Sequence, residues 1–163
     1  MSVSPKEFIK RFRAENPDEQ LTYEKILNGT GLTNLQNVDL QGVNLQGADL
    51  NGADLEDANL EDADFRGANL EGANLWKANL QDANLENAYL PGADLRDANL
   101  QGAALQYANL QDVSLWKAYL RDANLSEANL EDANLSYANL RNADFRDANL
   151  HDTLMWNAIP SER

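Results

Sequence analysis

From Leu35 to Leu150, every residue whose number divides by five is Leu, except Phe65 and Phe145. Two positions before each of these stands Ala, or in four cases Thr33, Val38, Val43 or Val113. The register does not slip over more than a hundred residues. A period of five is neither the 3.6 of an α-helix nor the 2.0 of a strand. A continuous helix would smear these Leu around its circumference, and a flat strand would alternate them between two faces. A coil that turns a corner once per five residues buries them all. Both the Leu centre and the preceding Ala then point to the axis.

The unit is thus Ala, Asn or Asp, Leu, and two variable residues. Examples are Ala58-Asn59-Leu60-Glu61-Asp62 and Ala98-Asn99-Leu100-Gln101-Gly102. This pattern resembles the pentapeptide-repeat family, over residues 33–157 and 24 units in one phase. The resemblance implies an all-β solenoid, a right-handed quadrilateral β-helix with four pentapeptides per coil, and so about six coils here. It also implies cyanobacterial relatives, many without an assigned activity.

Four units per coil would stack residues twenty apart. Phe65 and Phe145 then share one interior column with Leu45, Leu85, Leu105 and Leu125. Seven of the nine glycines occupy the second variable position, and Asn or Asp fills most of the rest. These residues tolerate the positive φ of a tight corner. Lys77, Tyr107, Lys117, Glu127 and Tyr137 depart from this preference, so a different corner geometry is expected at those five sites.

One outward column collects all three tryptophans: Gln36, Glu56, Trp76, Arg96, Trp116, Ser136, Trp156. Arg96 stands between Trp76 and Trp116, within expected reach of both rings for cation–π stacking. The next column carries Lys77, Asp97, Lys117 and Tyr137. Aromatic residues and Arg are the usual anchors of protein interfaces. Trp76, Lys77, Arg96, Trp116, Lys117 and Tyr137 are therefore the candidate protein-binding face; ladder stabilisation along a sheet is the competing reading.

Residues 1–32 read as an α-helical cap over the first coil. Ser4-Pro5-Lys6-Glu7 marks a helix start, and Phe8, Ile9 and Phe12 make one apolar stripe. Asn16-Pro17 should end this helix and restart a second, with Asp18 and Glu19 in its first turn and Leu21, Ile26 and Leu27 facing inward. Gly29 would terminate it. Residues 158–163 form a short tail. Leu154, Met155, Trp156 and Ile159 either close the C-terminal end or meet a second chain.

Composition narrows the function classes. The net charge of −14 lies on the repeat: residues 1–32 carry five basic and five acidic groups, the remainder 8 and 22. An acidic rod disfavours direct nucleic-acid binding, which needs clustered Lys and Arg. With no Cys, there is no thiolate nucleophile or thiolate metal site. No segment suggests a membrane span or a signal peptide, so a soluble, cytoplasmic protein is expected. Asp112, Asp132 and Asp152 share a column and read as a solvated stripe rather than a metal site. His151 reads as a surface residue. A filled coil offers no cleft for convergent polar groups, so neither catalysis nor a cofactor is expected. The expectation is a non-enzymatic interaction or scaffold module with an unidentified protein partner. The alternative, which the resemblance supplies, is an acidic DNA mimic that binds DNA gyrase or topoisomerase.

Overall fold

A computed structural model describes residues 4–16, 19–22, 24 and 34–160. Backbone pairing runs parallel and joins each outward residue to the one twenty later, from Asn34 with Asp54 to Asn139 with Ile159. One coil is therefore twenty residues, four pentapeptides, with a corner after each Leu.

Each residue type of the unit has a bond or a contact that accounts for it. The amide of the Leu centre donates one coil onward, as Leu60 N–H does to Asn79 O at 2.7 Å. The following Ala amide folds back onto the Leu carbonyl, as Ala63 N–H does to Leu60 O at 3.1 Å, closing a four-residue turn. Its third residue needs positive φ, as in a type II turn. The Asn or Asp before each Leu caps the corner: Asn74 Oδ1 accepts from Trp76 N–H at 3.1 Å. Its amide group also reaches the previous coil, so Asn99 Nδ2 donates to Asn79 Oδ1 at 2.9 Å, and Asn79 Nδ2 to Asn59 Oδ1 at 3.1 Å. A side chain that is both donor and acceptor can do both.

From residue 37 to residue 157, every fifth residue has φ between +52° and +70°. Lys77, Tyr107, Lys117, Glu127 and Tyr137, at +57° to +62°, are no exception. The expected change of corner geometry at these five sites does not occur. The reason is the ladder: the corner amide donates to the next coil, as Lys77 N–H does to Arg96 O at 3.0 Å. A corner that opened would forfeit that bond and break the stacking of its neighbours. A left-handed L-residue costs about 1–2 kcal/mol, and the coils above and below impose it.

The interior is filled by the Leu column and the small Ala beside it, nearly all of them buried. A buried Leu contributes roughly 1.5–3 kcal/mol, and Ala leaves the opposing Leu room in a narrow axis. Phe65 is fully buried, and Phe145 packs against the core from the last coil. Both lie in the column with Leu45, Leu85, Leu105 and Leu125, as the twenty-residue period requires.

At the N-terminal end, helix α1 spans Pro5–Glu15. Ser4 Oγ accepts from Glu7 N–H at 3.3 Å, Pro5 takes the first turn, and Asn16 caps the C-terminus. Ile9 is buried, and Phe8 and Phe12 pack against the core beside it. Arg13 clamps the helix to the first coil through Asp39 Oδ2 at 3.0 Å and Gln41 O at 2.6 Å. The expected second helix from Pro17 onward needs correction at Leu21 and Thr22. This pair is extended: Thr22 bridges Asn44 in parallel, and Leu21 O accepts from Asn44 N–H at 3.3 Å. An unpaired edge amide is costly, and Leu21 O supplies the acceptor for that of Asn44. Leu21 does face inward as expected and is buried. Ile26, Leu27 and Gly29 lie outside the described residues. Among the described residues, no helix is long and apolar enough to cross a membrane.

Candidate protein-binding face

The aromatic corner is built from the two variable positions of successive coils. Trp76-Lys77, Arg96-Asp97, Trp116-Lys117, Ser136-Tyr137 and Trp156-Asn157 stack in that order, because their backbones pair twenty residues apart. The first residue of each pair lies along the corner. The second sits in the left-handed region, which turns the chain sharply and sets the two side chains side by side.

That geometry decides which cation meets which ring. Lys77 Nζ lies 4.1 Å from the centroid of Trp76, and Lys117 Nζ lies 4.1 Å from that of Trp116. Each lysine folds onto the tryptophan just before it, worth about 0.5–1 kcal/mol at an exposed site. Arg96 does not stack between the tryptophans. Its guanidinium grips Asp94, with Nε 2.7 Å from Oδ1 and Nη2 2.5 Å from Oδ2. The reason is local. Asp94 already caps the corner by accepting from Arg96 N–H at 3.1 Å, so its carboxylate lies along the Arg stem, and a bidentate ion pair is stronger than an exposed ring contact. Burial works to raise the Asp94 pKa, but the Arg96 hydrogen bonds outweigh it and hold the carboxyl below its ordinary value. Asp64–Arg66 and Asp144–Arg146 repeat this pairing.

Tyr137 is the hub of the C-terminal half. Its ring meets Trp116 edge-on, with centroids 6.1 Å apart and planes at 78°, and meets Trp156 at 5.0 Å and 83°. These are the favoured T-shaped geometries. Ser136, a buried polar residue, lies beside Tyr137 in this stack. Trp76 stands apart from it, with Nε1 donating to Asp97 Oδ2 at 3.4 Å. The structure thus joins Trp116, Lys117 and Tyr137 with Trp156 into one contiguous patch. Trp76 and Lys77 form a second, separated from it by Arg96 and Asp97.

Trp156 is 66% exposed, and Leu154, Met155 and Ile159 around it are exposed too. The Lys-over-Trp contacts escaped sequence reasoning, although the repeated Trp-Lys dipeptide at 76–77 and 116–117 was a signal for them. The Arg pairing was signalled by Asp-Phe-Arg at 64–66 and 144–146 and Asp-Leu-Arg at 94–96. On another corner, His151 Nδ1 lies 3.1 Å from Asp152 Oδ2, both exposed.

The family model described as pentapeptide repeats, eight copies, matches residues 33–72, 78–116 and 117–152. A comparison with curated proteins finds no match. Among solved structures, the chain is similar to the pentapeptide repeat protein Rfr23 from the cyanobacterium Cyanothece 51142. The identity is 30%, covering 72% of this chain and 90% of that one, with a TM-score of 0.58. It is also similar to HetL, a pentapeptide repeat protein involved in heterocyst differentiation regulation from the cyanobacterium Nostoc sp. strain PCC 7120. There the identity is 31%, the coverage 74% and 73%, and the TM-score 0.38. A trypsin-treated form of QnrB1, a plasmid-mediated fluoroquinolone resistance protein, matches at 20% identity over 80% of this chain and 76% of that one, with a TM-score of 0.45. The repeat match and the likeness to Rfr23 make the twenty-residue coil a right-handed quadrilateral β-helix. The chain belongs to the pentapeptide-repeat family.

Proposed function

We propose that this protein is a non-enzymatic interaction module that presents its aromatic corner to a protein partner. The observation that carries this reading is the Trp116–Tyr137–Trp156 stack, edge to face, on a backbone fixed by the coil ladder. Tyr and Trp bury large areas at an interface, and rings already held in place lose little entropy on binding. Lys77 and Lys117 add positive charge at a corner of an otherwise acidic rod. Catalysis is disfavoured because the interior is filled with Leu and Ala, which leaves no axial cleft for converging groups.

Crosslinked capture from the native cell tests the reading, with wild type beside Trp76→Ala/Trp116→Ala and beside Tyr137→Ala. The expected result is a partner retained by wild type and lost from the variants, while their circular dichroism is unchanged. A partner that survives all three changes would remove this corner from consideration.

The acidic-rod reading rests on the charge of the repeat alone. It predicts inhibition of gyrase supercoiling at micromolar protein, and no effect at that level sinks it. Acid is spread unevenly around the rod, which weakens the likeness to a duplex.

A further inference from the structure

We propose that the cavity between helix α1 and the first coil binds a small organic dianion, a phosphate monoester with a short apolar body. Helix α1 sorts its charges by face. Glu7, Arg11 and Glu15 follow at four-residue spacing, and Arg11 Nε donates to Glu15 Oε1 at 2.8 Å. Lys6, Lys10 and Arg13 make a second stripe, four and then three residues apart, which holds cations only. Like charges at this spacing destabilise a helix, so an anion beside the stripe would relieve it. Lys6 and Lys10 are exposed, and neither forms an ion pair among the described residues.

This basic stripe lines a cavity of about 280 Å³ together with Ile9, Asn37 and Asp39. The carboxylate of Asp39 is already engaged. Its Oδ2 accepts from Arg13 Nη1 at 3.0 Å, and its Oδ1 accepts from Asn59 Nδ2 at 3.0 Å and Gln41 N–H at 3.2 Å. Glu56, at the same corner one coil on, is turned toward Gln36 and Asn74. Three cations against one carboxylate leave the lining at a net +2, on a chain that carries −14. A dianion is the charge that complements it.

The donors suit a phosphate head. Arg13 is held in place through Asp39 and Gln41 O, and its fork has further N–H groups to donate. Each lysine ammonium offers three donors. Asn37 is exposed at its corner, and its side-chain amide has no partner among the described residues. The rest of the lining is apolar: Ile9 is buried at the floor, and the methylene stems of the two lysines extend it. Small-molecule sites begin at about 300 Å³, so one compact ligand fills this cavity. Asp57, one coil on from Asn37, stands outside the lining. It would repel an anion that extended along the corner.

Amide NMR of the 163-residue chain, titrated with phenyl phosphate up to about 10 mM, tests this. At about pH 7.5 the probe is largely dianionic. Saturable binding with a Kd on the order of 1 mM or tighter is expected, with shifts centred on Lys6, Ile9, Lys10 and Asn37. Inorganic phosphate should bind at least tenfold more weakly, and benzyl alcohol should not bind, because each lacks one half of the ligand. Lys6→Gln/Lys10→Gln should weaken phenyl phosphate at least tenfold. Its melting temperature should not fall, because both side chains are exposed and a like-charge pair leaves the helix. Trp76→Ala/Trp116→Ala should bind as wild type does, which separates this cavity from the partner-binding corner. Absence of saturation overturns the proposal, and so do shifts confined to another part of the rod. An affinity unmoved by the two glutamines overturns it as well. Inorganic phosphate as tight as the monoester would mean a counterion only, and would overturn it too.

Discussion

At Gly72 and Gly102 the same backbone conformation meets different surroundings. Both have positive φ, +61° and +70°. A Cβ added at Gly72 would meet nothing within 4 Å, whereas one at Gly102 would collide with Asp82 Oδ1. Gly72→Ala should therefore show the backbone penalty alone, about 1–2 kcal/mol. Gly102→Ala should cost more, and Asp82→Ala should bring it back to the Gly72 value. Chemical denaturation of this double-mutant cycle measures both; equal losses for the two alanines would mean that Asp82 moves away freely. The Asp-X-Arg pairs give a pH signature at the same scale. The Arg66 hydrogen bond holds the Asp64 carboxyl below its ordinary value of 3.8, against a smaller opposing effect of burial. A carboxyl depressed in the fold lends stability above its unfolded value and loses it as pH falls through the folded one. Arg66→Gln should thus lower the melting temperature at pH 7. Its difference from wild type should shrink as pH falls below about 4. A difference that stayed constant with pH would rule the pairing out as its source.

The coil is the element that the sequence made plainest. Leu at every fifth position and Ala two before it leave a single arrangement that buries both, so stacking at twenty follows once four corners close a turn. Phe65 and Phe145 share a column for that reason, and so do the three tryptophans. Contacts within the aromatic corner were less legible. Spacing places Arg96 between two rings, yet its rotamer is set by Asp94, two residues away, which the corner cap already orients. The five unusual corner residues mislead for a related reason: local preference disfavours positive φ at Lys or Tyr, but two neighbouring coils outvote it. Leu21 and Thr22 read as helix because a helical pattern carries no information about an unpaired edge at Asn44. If the coil is the repeating element, its removal in register should be tolerated. Deleting Glu86–Leu105 joins Leu85 to Gln106, preserves every interior column, and stacks Trp76 against Trp116. It should leave a cooperative thermal transition by circular dichroism. Deleting Glu86–Tyr89 alone shifts all later Leu off the axis and should abolish that transition. Equal outcomes for the two deletions would contradict the twenty-residue element.

Around the whole rod, charge is divided by corner. The aromatic corner balances Glu56, Asp57 and Asp97 against Lys77, Arg96 and Lys117. The corner that precedes it in each coil holds Glu71, Asp112, Glu131, Asp132 and Asp152, with no Lys or Arg. Asp112, Asp132 and Asp152 stand in successive coils, about 4.8 Å apart along the axis by strand spacing. Like charges at such a distance repel by roughly 1 kcal/mol even in bulk water. Asp132 lies between the other two and feels both. Asn at this position keeps the left-handed corner, as Asn37 and Asn87 do at theirs. Asp132→Asn should therefore stabilise the fold by up to about 1 kcal/mol at low ionic strength. At 1 M salt, where the screening length falls to about 3 Å, the gain should largely vanish. Asp57→Asn, whose stack neighbour is Lys77, should not stabilise under either condition. Denaturation of the two variants at low and high salt separates repulsion within the acidic corner from a general effect of removing charge. An Asp57 variant as stable as the Asp132 variant would leave no special role for the column.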